Sequence, residues 1–108
     1  MSINVQSFLQ QLESGIGNLA KTTVNDFARQ AAADGKRLLG TLKEDLVRRT
    51  KLLADGKITR AEFEILLLTE KDLVEMKSLT QAGLALAKID EFKAGVFKLI
   101  IDTVTGLI

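Results

Sequence analysis

The sequence predicts an all-α fold, a long helical hairpin whose two arms meet at a capped turn. Three observations carry that prediction. Apolar residues recur at steps of three and four along most of the chain, no proline is present to break a helix, and one short stretch gathers several helix-terminating signals. At 108 residues the chain makes one domain, expected to comprise a first arm over about 3–54, a turn at 55–59 and a second arm over about 60–106.

The first arm carries Val5, Phe8, Leu9, Leu12, Ile16 and Leu19, then Phe27, Ala28 and Ala31, then Leu38, Leu39, Leu42, Leu46 and Leu53. That spacing lines one side of an α-helix. Two glycine-bearing stretches, Gly15 to Gly17 and Asp34-Gly35, are expected to kink or break it, because glycine costs a helix about 1 kcal/mol relative to alanine.

The turn is the firmest boundary. Gly56 supplies the left-handed residue that ends the first arm. Thr59 and Glu62 have the spacing of a capping box, in which each side chain satisfies a backbone N–H that the helix start leaves free. Ile58 and Phe63 sit where a hydrophobic staple closes over that cap.

The second arm opens on Phe63, Ile65, Leu66, Leu67 and Leu68, apolar on all sides and expected to be deeply buried. Thr69 to Asp72 is a second candidate break. Beyond it the stripe continues through Leu73, Met76, Leu79, Leu86, Ile89, Val96, Leu99, Ile100, Val104 and Leu107. Unbroken, an arm of about 45 residues is roughly 68 Å long, and a bare hairpin of that length leaves much apolar surface in water. The expectation is therefore completion into a helical bundle by oligomerisation. Small residues support close helix approach: Ala28, Ala31, Ala32 and Gly35 in one row, Gly83, Ala87, Ala94 and Gly95 in a looser set.

Composition narrows the chemistry. The chain has no His, Cys, Pro, Trp or Tyr, so the commonest general base, the commonest transition-metal ligand, thiolate sites and disulfides are all missing. Hydrophobic residues make up 46% of the chain and mean hydropathy is +0.15, with five aromatics, all Phe. Residues 1–54 hold 8 Lys/Arg and 5 Asp/Glu, a charge of +3, and residues 55–108 hold 7 and 9, a charge of −2. Such an asymmetry suits antiparallel packing of the halves and is too weak to imply nucleic acid. The N-terminal stretch has neither a basic region nor a long apolar one, and Ser2 precludes myristoylation. No signal peptide or membrane span is expected, and the cytoplasm is the default location. The terminal Gly106-Leu107-Ile108, without a polar tail, is expected to meet an assembly or lipid.

Several motifs invite a chemical reading. Asp55 to Phe63 resembles the second half of an EF-hand calcium loop, with Asp55, Gly56, Ile58 and Glu62 at the matching positions. The first half departs from it: Lys51 and Leu53 stand where carboxylate or amide oxygens belong, and the capping box accounts for the same residues. Gly15-Ile16-Gly17-Asn18-Leu19-Ala20 has the glycine spacing of a dinucleotide fingerprint, but helical periodicity precedes it where a strand is required. In Lys43 to Lys51, Glu44 with Arg48 and Asp45 with Arg49 have the spacing of helix-stabilising ion pairs, which reads as a solvated face. Glu62, Glu64, Glu70, Asp72 and Glu75 alternate with Lys71 and Lys77, and no histidine completes a di-metal site.

No catalytic residue, cofactor, metal or small-molecule substrate is expected. The expected function is that of a non-enzymatic helical protein that self-associates or binds a helical partner. Its partner face would be Leu86, Ile89, Val96, Ile100 and Val104. The alternative is a membrane-active protein that inserts its apolar C-terminal segment into a bilayer.

Overall fold

The computed structural model describes residues 5–71 and 73–107, and among them every regular element is helical. Helix α1 is Val5–Thr23, α2 is Ala28–Ala54, α3 is Arg60–Lys71, α4 is Lys77–Gln81 and α5 is Leu86–Leu107, with a 3₁₀ turn at Asn25–Phe27. The all-α prediction holds. Residues 1–4, Asp72, Ile108 and the side chains of Val5 and Leu107 lie outside this description, so the start of the first arm, Asp72 in the acidic cluster and the apolar terminus do too.

The long hairpin is folded further than the periodicity implies. Helix α1 ends in Lys21-Thr22-Thr23-Val24-Asn25-Asp26, where five consecutive residues after Lys21 are poor helix formers. The Thr22 hydroxyl donates to the carbonyls of Asn18 and Leu19, at 3.2 and 3.1 Å. Val24 leaves helical geometry at φ −135° and ψ 54°, and its buried side chain pins the bend to the core. The chain turns back here, so α2 runs antiparallel to α1. Gly15 to Gly17 and Asp34-Gly35 are not breaks; both lie inside continuous helices.

Close packing explains those glycines. An added Cβ on Gly35 would collide with Ile16 Cγ2, one on Gly15 would lie 2.8 Å from Leu99 Cδ2, and one on Gly95 would lie 3.0 Å from Leu19 Cδ2. The small residues thus bring α1 against both α2 and α5 within one chain. The Gly15/Leu99 and Gly95/Leu19 pairs also set α5 antiparallel to α1.

The turn between α2 and α3 forms as predicted. Gly56 has φ +73°, and Lys57 N–H donates to Leu52 O at 2.8 Å while Gly56 N–H donates to Leu53 O at 3.1 Å, a Schellman motif. The capping box is reciprocal: Thr59 N–H donates to Glu62 Oε1 at 3.0 Å, and Glu62 N–H donates to Thr59 Oγ1 at 3.1 Å. Ile58 and Phe63 both pack on the core.

Helix α3 passes through Thr69 and ends at Lys71. Helix α4 follows and is stopped by a second Schellman motif at Gly83, whose φ is +86°. Gly83 is therefore a helix terminator, not part of a packing row. The segments α3 and α4 run back along α2, α5 returns, and the long helices form an up-down-up-down bundle. The longest dimension is 42 Å, about the length expected for the 27 residues of α2.

The bundle closes over its own stripes. Phe8, Leu12, Ile16 and Ala20 from α1 meet Leu38, Leu42, Leu46 and Leu53 from α2, Phe63 and Leu67 from α3, and Phe92, Val96, Ile100 and Val104 from α5.

Candidate functional site: an apolar helix face

The expected partner face is mostly core. Val96, Ile100 and Val104 are fully buried, Ile89 is buried, and Leu86 alone of the five is exposed, at 72%. The stripe on α5 is genuine, but α1 and α3 cover it, so these four side chains cannot greet a partner while the bundle is intact. Ile100→Asp would place a charge inside the monomer rather than in a seam between copies.

The apolar run opening the second arm departs from expectation in the other direction. Phe63 and Leu67 are buried, but Ile65 is 63% exposed, Leu68 42% and Leu66 37%, and Leu73 just beyond the helix is 79% exposed. Geometry gives the reason. Successive residues are rotated by about 100°, so once Phe63 and Leu67 face inward, Ile65 points directly away from the core. Ala61, Ile65 and Leu68 then form an outward row at steps of four and three, with Thr69 beside it and Leu66 on one flank. On the other flank, Glu64 and Lys71 are seven apart.

The base of α3 is firmly held. Arg49 Nη1 on α2 donates to Glu70 Oε1 on α3 at 2.6 Å, with side-chain exposures of 15% and 17%. This pairing replaces the expected Asp45–Arg49 contact, and Asp45 instead takes Arg48 at 2.9 Å, a spacing of three. Glu70 Oε2 and Thr50 Oγ1 are buried and have no hydrogen-bond partner among the described residues.

Asp34 is the other polar group in the core. Its Oδ1 accepts from Ser78 N–H and its Oδ2 from Leu79 N–H, both at 2.9 Å, and Arg37 Nη1 lies 3.4 Å from Oδ1. The second and third N–H groups of α4 have no partner within their own helix. Asp34 caps them from α2, and this accounts for a buried carboxylate without any catalytic role.

An open cleft of about 370 Å³ lies between α4 and the start of α5, lined by Met76, Thr80, Leu86 and Ile89 among others. Around it Lys77 and Lys93 balance Glu75 and Asp90. The cleft has no nucleophile paired with a base and no converging charge of one sign. Among the described residues no group of three or more acidic side chains is placed to share a metal ion. Gly15 to Ala20, inside α1, offers no strand-to-helix turn for a pyrophosphate.

Asp34, Arg49 and Glu70 are accounted for by capping and pairing within the fold, and the large apolar side chains left exposed among the described residues are Ile65, Leu66 and Leu68 on α3, with Leu73 and Leu86 apart from them. The chain matches no protein-family model, and no curated protein or solved structure is similar to it.

Proposed function

We propose that this chain is a non-enzymatic interaction protein, a small helical bundle that docks onto a helical protein surface through the outward face of α3. The observation that carries the reading is the exposure of Ile65, Leu66 and Leu68 on a helix whose inward face is already filled by Phe63 and Leu67. Elsewhere the solvent sides of the helices are largely polar: α1 shows Gln10, Gln11, Glu13 and Asn18 to solvent, and α5, apart from Leu86 at its start, shows Lys88, Asp90, Glu91, Lys98 and Asp102. A clustered apolar row among polar faces is the usual mark of a contact surface.

The driving force is modest. Burying one Leu or Ile side chain completely contributes about 1.5–3 kcal/mol, and the three exposed fractions on α3 amount to roughly one and a half such side chains, or about 2–4 kcal/mol before ordering costs. This suits a reversible contact rather than an obligate one.

The membrane reading has less support. It draws on the apolar C-terminal segment, in which Ile89, Phe92, Val96, Phe97, Ile100 and Val104 pack inward, so inserting them would require α5 to leave the bundle. Among the described residues no helix is long and apolar enough to cross a membrane.

Chemical crosslinking in intact cells that express the protein, which traps weak contacts at cellular concentration, tests the reading. The wild-type chain is expected to appear in crosslinked adducts above its own mass of 11.8 kDa. An Ile65→Asp/Leu68→Asp variant, with an unchanged circular dichroism spectrum, is expected to lose those adducts. Identical adducts, or none, from variant and wild type would overturn the assignment.

A further inference from the structure

We propose that the surface docking on α3 is α3 of a second copy of this chain, laid antiparallel across a two-fold axis. This rests on the reading of α3 as a docking face and names its partner.

The face is self-complementary in one orientation. Ala61, Ile65 and Leu68 fall at the d, a and d positions of a heptad, the seam along which helices pair. Glu64 and Lys71 then both occupy g, on the same flank of that seam. A two-fold axis perpendicular to the helices brings like flanks together. If it passes midway between Ile65 and Leu68, Ile65 rests on the partner's Leu68, and Leu68 on the partner's Ile65. The midpoint between Glu64 and Lys71 is one residue further along, so the partner's Lys71 lies two residues, about 3 Å, beyond the level of Glu64 on the same flank, within reach of two long side chains. Each Glu64 therefore faces the partner's Lys71, and symmetry makes the pair twice.

A parallel pairing has no such match, since it sets Glu64 against the partner's Thr69. Neither Glu64 nor Lys71 forms an ion pair with another described residue. Glu62, on the opposite flank, already serves the capping box. A heterologous helix could fill the same apolar row, but only a copy of α3 supplies the opposite charge at the matching place from the residues already present.

The size of the contact sets its strength. Helix α3 has 12 residues and is about 18 Å long, so the interface falls below about 1,200 Å² in total, the range of weak and transient complexes. Half-association is expected near 100 µM, to within about a factor of ten.

Sedimentation velocity on the purified full chain, from about 5 µM to about 1 mM, is the test. The wild-type protein is expected to move from 11.8 kDa toward twice that mass as concentration rises. Ile65→Asp is expected to remain a monomer with an unchanged melting curve. Glu64→Lys and Lys71→Glu each replace two attractive contacts by repulsive ones and are expected to weaken association about tenfold. The Glu64→Lys/Lys71→Glu double variant restores the opposite pairing and is expected to return within about threefold of wild type.

A wild-type chain that stays monomeric to about 1 mM, or a double variant no better than its singles, would overturn the proposal. If the purified chain is monomeric while intact cells give crosslinked adducts that Ile65→Asp/Leu68→Asp abolishes, self-pairing fails and the docking reading survives. If the cellular adducts are absent as well, both fail.

Discussion

Substituting alanine at two glycines within the helices should change stability in opposite directions. Gly17 and Gly35 are both helical, and alanine at either site gains about 1 kcal/mol of helix propensity. At Gly17 an added Cβ meets nothing within 4 Å, so the gain is retained. At Gly35 it strikes Ile16 Cγ2, on a side chain that is only 2% exposed. The Cγ2 atom cannot swing away, because a β-branched residue in a helix is held to one χ1 rotamer. Relief must come from separating α1 and α2 or forcing Ile16 off-rotamer, and overpacking of this kind costs about 1–3 kcal/mol. The balance is about −1 kcal/mol of destabilisation at Gly17, a stabilisation in other words, and about 0–2 kcal/mol of destabilisation at Gly35. At roughly 4 °C per kcal/mol for a chain of this size, the two variants should differ in Tm by about 4–12 °C. Thermal unfolding followed by circular dichroism at 222 nm measures it. In an Ile16→Ala background the penalty at Gly35 should vanish, since the obstructing methyl is gone. Equal stabilisation by Gly17→Ala and Gly35→Ala would refute the close approach of α1 to α2 on which the bundle geometry depends.

Further outcomes follow from the buried polar groups and the core. Asp34→Ala strands the Ser78 and Leu79 N–H groups and should destabilise the protein by about 2–4 kcal/mol, with amide exchange rising first in α4. Arg49→Met leaves Glu70 without its cation and should cost about 2–4 kcal/mol, while Arg49→Met/Glu70→Leu should recover most of that in a double-mutant cycle. Thr50→Val removes a buried hydroxyl and should stabilise by about 0.5–1.5 kcal/mol in urea unfolding; a loss would mean that the hydroxyl is satisfied. Ile100→Asp should abolish the cooperative transition altogether.

Local chemistry was the legible part. The start of α3 depends on Thr59 and Glu62, three residues apart, and the end of α2 on Gly56, so both could be recognised without knowing the rest of the fold. The bend at Val24 to Phe27 was harder, since its signal is a run of mediocre helix formers with no glycine or proline. The break before α4 has no local cause of that kind: the new helix starts where Asp34, from 44 and 45 residues earlier in the chain, meets its N–H groups.

The glycines misled for a related reason. Gly15 and Gly35 are alike in sequence to a helix breaker, and only the opposing Leu99 and Ile16 reveal that they permit contact. Val96, Ile100 and Val104 turn out to lie in the core, because an apolar stripe says that a surface is covered and not by what. Helix α5 is covered by its own chain. The better clue was surplus: Ile65-Leu66-Leu67-Leu68 circles the helix, and four consecutive residues cannot all face one core.

Photo-crosslinking in intact cells tests the central claim most directly, that the outward face of α3 is where this protein meets a protein partner. A photoreactive residue at position 65 is compared with one at Arg29, exposed on α2 and 20 residues from the α2 arginine that holds α3. Position 65 should give a discrete protein adduct, and Arg29 should give none. Lipid adducts alone from position 65, no adduct from either site, or equal adducts from both would contradict it.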